Sequence, residues 1–528
     1  MPGAHRPRPE GVARAVSPAS WFLLVVLLAC SWPALRLLTK PSFRQVAPRQ
    51  WLALAVVLLV SLAALVILAV VQPSWLPWVT AIAVLTAGAS AWRSRVGFGR
   101  DRGLPLGSLS PWRSIEALIE RDFYSWQAKQ YGPVFKMAQF HRGVICVVGL
   151  DRGHRILRDY RKNLGPSVQP FNLEVPGGFL RYMADDTHRK YAGLFRGSLS
   201  PAIVGESEPT TRLAALDELE DMAKASAQGQ FISTEPFQKR LVSRSFLSVL
   251  FGVEEGSQSF DRFEEIYPPF SAQPLGSSLG RAALESLEEL RRWVNLEAES
   301  LRAVPEGPVS SSALGQLVRA DEAMPDPTAV DNLLFIHKIS SDNVVALLRW
   351  LVKILGDHPE WVSRLRSELD SDNDSSLSDR IFMETLRLAQ SEYLYREIIE
   401  DFEFDGFTMP AKWLLRVCVR ESHADPEVFP EADAFDPDRF LNHRFDSSQY
   451  SPFGFGPHAC NGVHLTMMIA RSWIESLCGD FDWSIVRDGP MEKEFRHWSH
   501  WRPSRRLAIS IARRASSNSR SAPEAALR

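Results

Sequence analysis

The sequence predicts a mainly α domain with a small β-rich lobe, preceded by N-terminal transmembrane helices. Three observations carry this. Residues 331–355 form one long apolar-patterned helix, and helical periodicity also dominates residues 203–325. Two β-branched runs, 134–140 and 143–148, stand close together after the turn Tyr131-Gly132-Pro133, as the arms of a hairpin do. The first hundred residues hold three strongly apolar runs flanked by tryptophans such as Trp21, Trp51, Trp75 and Trp92.

Residues 1–102 read as a membrane anchor with runs at 21–35, 51–71 and 75–92. The second is uncharged and long enough for a hydrocarbon core of about 30 Å at roughly 1.5 Å per residue. Arg36, Lys40, Arg44 and Arg49 precede it, and Arg93, Arg95, Arg100 and Arg102 follow the third run. Positive charge favours the cytoplasmic side, which makes 51–92 a hairpin and leaves the catalytic part facing the cytoplasm. The first run either spans or lies in the interface.

Gly103-Leu104-Pro105-Leu106-Gly107 is a hinge, and residues 103–512 read as the catalytic domain. A helix at 151–160 follows the two strands. The 203–325 region breaks at 252–256 and 268–280, and the long helix ends before His358-Pro359. Strand-like alternation returns at 506–512, and the Ser/Arg/Ala-rich tail 513–528 has the composition of disorder. Across 528 residues, 60 basic and 62 acidic side chains nearly cancel, so no nucleic-acid partner is indicated. The five cysteines are scattered with no CxxC, which excludes a disulfide framework and a structural zinc site.

One cysteine stands apart. Cys460 lies in the glycine-rich stretch Phe453-Gly454-Phe455-Gly456-Pro457-His458-Ala459-Cys460-Asn461-Gly462, directly before an apolar helical run at 463–478. A sulfur at a helix mouth meets free N–H groups and the positive end of the helix dipole, which lower a thiol pKa. Gly456 and Gly462 let backbone approach a flat ligand. Phe453 packs beside the sulfur, and His458 suits an acidic group at the ligand's edge.

This stretch resembles the cysteine-ligand loop of the cytochrome P450 family: Phe, two residues, Gly, one residue, Arg or His, one residue, Cys, one residue, Gly. Other segments resemble the same family in the same order. Glu384-Thr385-Leu386-Arg387 is similar to its Glu-x-x-Arg, and Phe435-Asp436-Pro437-Asp438-Arg439-Phe440 to the segment before the haem loop. The 331–355 helix resembles the one that crosses the oxygen face, with Ile339-Ser340-Ser341-Asp342-Asn343 at its Ala/Gly-Gly-x-Asp/Glu-Thr position.

The resemblance implies the P450 fold and a haem b (iron protoporphyrin IX) cofactor with Cys460 as proximal iron ligand, whose thiolate favours O–O cleavage. It also implies His458, Arg396 and His188 at the propionates, with Ala192 where an arginine is usual and Arg189 or Arg196 as substitutes. Glu384, Arg387 and Arg439 become a buried structural charge triad. Asp342 keeps the proton-delivering acid, while Asn343 replaces the usual threonine.

The implied activity is insertion of one oxygen atom from O2 into a lipophilic small molecule such as a sterol, terpenoid, fatty acid or secondary metabolite. A separate reductase or ferredoxin supplies the electrons, since no Gly-x-Gly-x-x-Gly follows a strand and no iron–sulfur spacing occurs. A carboxamide orients water but relays protons poorly. Asn343 therefore leaves open an isomerase or dehydratase that rearranges a peroxide or oxygenated substrate without external electrons. The multiple apolar runs leave open a non-catalytic membrane haem sensor.

Overall fold

The computed structural model describes residues 48–71, 75–93, 103–139, 142–166, 179–272, 280–303, 312–320, 326–371, 376–390, 393–493 and 501–515, with isolated residues before 40. Most of the expected run at 21–35, and the tail from 516, lie outside them. The chain divides into two compact units, 1–127 with 136–143, and 128–135 with 144–528.

In the first unit, helices α1 (Pro48–Val71) and α2 (Leu76–Arg93) form from Leu-, Ala- and Val-rich sequence. Pro73 lies between them, and its missing N–H does not continue a helix. Among the described residues no helix is long and apolar enough to cross a membrane. The side chains at the ends of both helices fall outside that description, and the transmembrane helices expected from the sequence are not established. The large apolar side chains in the described middle are exposed, among them Leu59, Val60, Trp78, Ile82 and Leu85. Further along, Gly107 and Ser108 pair in parallel with Lys136 and Met137. A Cβ on Gly107 (φ +139°) would meet the Lys136 carbonyl oxygen at 2.0 Å, so only glycine fits there.

The second unit is mainly helical. Strands β1 (Arg142–Val147) and β2 (Leu164–Gly165) come first, then α3 (Asp185–Ser198), α4 (Glu208–Ala227) and α5 (Glu235–Phe246). The 31-residue α6 (Pro327–Asp357) follows, then α7 (Ser376–Thr385), β3 (Tyr393–Ile398), β4 (Leu414–Cys418) and α8 (Val463–Asp480). The start of α6 is sharply defined. The Asp326 carboxylate accepts the Thr328 N–H at 2.8 Å, and Pro327 occupies the first turn, where its missing donor costs nothing.

Leu351 and Leu355 of α6, Leu219 and Met222 of α4, and Ile469 and Trp473 of α8 belong to one buried apolar cluster. A side chain of this size contributes roughly 1.5–3 kcal/mol when fully buried, so this cluster holds the helices together. In the β lobe, β1 runs parallel to β4, β4 antiparallel to β3, and β3 antiparallel to β2. Both expected strands form, at Val134–Gln139 and Arg142–Val147. The expected C-terminal strand also forms, Ala508–Arg513 pairing antiparallel with Phe481–Arg487.

Candidate active site around Cys460

The loop before α8 is closed by its own backbone. Gly454 and Gly456 both have φ +73°, a left-handed geometry that favours glycine. The Ala459 N–H donates to the Gly456 carbonyl at 3.2 Å, and the Cys460 N–H to the Phe453 carbonyl at 3.0 Å. The Gly462 N–H donates to Cys460 Sγ at 3.4 Å, and α8 begins one residue later.

Cys460 keeps accessible surface, whereas Cys146, Cys418 and Cys478 are buried. A Cβ added at Gly456 would meet nothing within 4 Å, so open space borders the loop there. At Gly462 an added Cβ would lie 3.8 Å from Sγ. Phe453 stacks against Phe382 of α7 with ring centroids 6.2 Å apart.

One expectation is corrected. Desolvation by the surrounding loop pushes the Cys460 thiol up although the residue as a whole keeps accessible surface, and the Gly462 hydrogen bond offsets only part of this. The helix mouth alone therefore does not make a thiolate, and a bound metal cation is what deprotonates a coordinating thiol.

Two imidazoles meet beside the loop. His188, buried on α3, lies 3.8 Å from His458 between ring centroids, tilted by 36°. Arg396 is half-buried on β3, its guanidinium donating to the Tyr395 carbonyl at 2.7 Å. That strand borders the loop through Leu394, whose side chain would lie 3.0 Å from a Cβ added at Gly454. Ala192 is buried one turn after His188. Arg189, offered as a substitute, is exposed and pairs with Asp186 at 3.2 Å, so it turns away from the histidines.

Glu384, Arg387 and Arg439 come together as one network. Arg387 donates to both Glu384 oxygens at 2.7 and 2.8 Å, and Arg439 Nε to Oε1 at 3.0 Å. The remaining Arg387 donors reach the carbonyls of His423, Ala432 and Ala434. These bonds pin the segment that leads into the cysteine loop.

Asp342 and Asn343 are half-buried on α6, outside the loop. The Asp342 carbonyl accepts from Arg502 at 3.4 Å. One turn earlier, Lys338 donates to the Phe270 and Ser271 carbonyls at 2.5 and 3.0 Å. Desolvation brings its pKa down to about 8, against the raising field of Asp342.

His337 is ringed by Phe246, Phe251, Phe263 and Tyr267 at 4.8–6.4 Å, and neither ring nitrogen has a hydrogen-bond partner among the described residues. Burial lowers its pKa to about 3. A histidine held neutral in the fold but protonated when unfolded lowers stability as pH falls from about 6.5 toward that value. His337→Phe should therefore flatten the acid side of the Tm–pH profile between pH 7 and 5. An unchanged profile would show that His337 does not contribute.

His337 and Lys338 are polar residues just upstream of Asp342 in the sequence, and sequence reasoning does not read their burial. It missed Arg502 altogether, because nothing local connects it to a helix 160 positions earlier.

A family model described as Cytochrome P450 matches residues 339–510, the span that contains Asp342, the Glu384 network and the Cys460 loop. The cytochrome P450 family is supported by this match. The chain is 25% identical over 391 residues to abscisic acid 8'-hydroxylase 1 of Oryza sativa subsp. japonica, covering 69% of this chain and 80% of that protein. Abscisic acid 8'-hydroxylase 2 of Arabidopsis thaliana is 25% identical over 394 residues, with 69% and 80% covered. A cyanobacterial P450 solved with retinoic acid bound shares the fold. It has TM-score 0.63 and 22% identity, with 76% of this chain and 96% of that one covered. The chain is thus an oxidoreductase of P450 monooxygenase type with haem as its cofactor. The residues fit that group: an accessible cysteine, open space at Gly456, and two imidazoles beside them.

Proposed function

We propose that the protein inserts one atom of O2 into a lipophilic small molecule, with a terpenoid as the first class to try. The single observation that carries this is the Cys460 loop, with an accessible cysteine, open space and paired histidines in one place. The names of the abscisic acid hydroxylases support the terpenoid choice. One oxygen atom ends in a C–OH bond and the other leaves as water, with two electrons from a separate reductase or ferredoxin and two protons from solvent.

Bound haem supplies the oxygen chemistry itself. Cys460 would hold it from one side, and His188, His458 and Arg396 would meet its propionates with positive charge or N–H donors. Phe453 would shield the sulfur, and Gly456 would leave room for the ring edge. Asp342 would pass protons at its carboxylate, and the Asn343 carboxamide would orient the water that carries them.

Helix α1 has 24 residues, about 36 Å at ~1.5 Å per residue, and its exposed apolar side chains need covering. We read α1 and α2 as an anchor and residues 103–512 as the catalytic domain on the cytoplasmic side. Deleting 1–102 should release the protein from membranes washed in alkaline carbonate; retention of the truncated chain would exclude an anchor confined to that segment.

Asn343 favours a second reading, rearrangement of an already oxygenated substrate without added electrons. Isotopically labelled O2 separates the two. A terpenoid and lipid panel is supplied with and without a surrogate reductase, and a parallel set receives hydroperoxides without reductant. Label in product only with reductant supports the monooxygenase. Hydroperoxide rearrangement without reductant, and no labelled product with it, supports the isomerase. In the monooxygenase case Asn343→Thr should leave reductant-coupled turnover equal or higher, since a hydroxyl relays protons better than a carboxamide.

A further inference from the structure

A helix far from Cys460 in sequence meets the cysteine loop. The helix Leu150–Asp159 sits tightly on β4, since a Cβ on Gly153 would meet Val417 Cγ1 at 2.6 Å. Just before it, the Gly149 N–H donates to Ser422 Oγ at 2.8 Å in a buried bond. Leu150 and His154 are one turn apart and share a face of this helix. Leu150 joins Val417 and Val419 in a buried cluster, and Phe455 of the cysteine loop packs against that cluster. The His154 ring stacks on the Phe455 ring, with centroids 3.5 Å apart and planes 28° apart.

His154 also holds the chain that enters the loop. Its ring hydrogen-bonds the Ser447 backbone in the sense that favours a proton on the ring, so the imidazole donates and the carbonyl accepts. The same carbonyl accepts from Ser451 Oγ, and the Ser451 carbonyl accepts the Gly454 N–H at 3.1 Å. Desolvation lowers the His154 pKa, opposed by Ser447 and Asp446 and aided by Arg158, so the ring is neutral near pH 7. A neutral imidazole lies on an aromatic face without a charge to desolvate. Phe455 comes one residue before Gly456, whose φ of +73° and carbonyl bond to the Ala459 N–H set where Cys460 stands.

We propose that His154 is a positioning residue for the cysteine ligand. Its stack on Phe455 and its bond to Ser447 clamp the loop from both sides of Gly454, and so hold the turn that presents Cys460. The inference rests on Cys460 as the haem ligand.

The test follows the thiolate signature of the reduced, CO-bound, full-length protein over time in urea, set at the same fraction of each variant's unfolding midpoint. His154→Ala should lose the signature about ten-fold faster than wild type or more, as loss of an aromatic stack together with a hydrogen bond predicts. His154→Phe keeps a ring on Phe455 and should recover most of the lost lifetime. Leu290→Ala is the control for general destabilisation, because Leu290 is fully buried on the helix Arg281–Ala303 in the helical core. Loss in His154→Ala no faster than in Leu290→Ala, or as fast in His154→Phe as in His154→Ala, would overturn the proposal. Should His154→Ala fail to take up haem, Phe455→Leu removes the stack from the other side. It should shorten the lifetime likewise, and a wild-type lifetime there would overturn the stack as the holding contact. A wild-type protein without the thiolate signature would overturn the Cys460 reading and this inference together. A wild-type signature with unchanged variants overturns this inference alone.

Discussion

Cys460→Ser is expected to abolish the thiolate signature of the reduced, CO-bound protein and to lower turnover on the order of a hundred-fold or more, because the axial donor sets the electronics of the haem. The structure leaves no replacement close at hand. The other described cysteines are buried, Cys146 and Cys418 in β strands and Cys478 near the far end of α8. Serine keeps the loop's shape, since the Cys460 N–H to Phe453 bond and the turn at Gly456 use backbone alone. A folded variant with an altered spectrum therefore isolates the sulfur. A normal reduced-CO spectrum in the variant would remove Cys460 from the site and the monooxygenase proposal with it.

The parts of this site that were legible in the sequence are those written in local spacing. The cysteine loop is ten consecutive residues, and Glu384 and Arg387 are one helical turn apart. What was not legible depends on burial or on contacts between distant segments. The helix-mouth argument gave the wrong direction for the Cys460 thiol because desolvation by the loop outweighs one N–H, and the packing around a side chain cannot be read from a ten-residue motif. A cavity beside His337 brings α5, α6 and the paired strands Glu492–Lys493 and Trp501–Arg502 together, with no sequence period linking them. Asp438 shows the same limit. It sits in the motif beside Arg439, yet it pairs with Arg364 and Arg380, each at 2.8 Å, from two earlier helices. Hydropathy read the N-terminal helices correctly as helices, but it does not report what covers their apolar sides.

Glu384→Gln is expected to be the most destabilising conservative change in the chain, costing about 3–5 kcal/mol. The carboxylate is fully buried and faces two guanidiniums, and its Oε1 also accepts the Asp436 N–H at 3.0 Å. The amide keeps one acceptor but turns a donor toward Arg387, leaving buried positive charge without a counter-charge. Because that arginine also ties down the His423, Ala432 and Ala434 carbonyls, the loss should spread to the segment before the cysteine loop. Haem incorporation should then fall along with the denaturation midpoint. Glu285→Gln is the matched control. Its partner Arg281 lies one helical turn away at 2.8 Å, with both side chains mostly exposed, and such pairs contribute about 0–1 kcal/mol. The two variants carry the same chemical change and differ in burial. If urea unfolding places both within about 0.5 kcal/mol of wild type, the Glu384 network does not hold this fold. A large gap between them assigns the difference to desolvation.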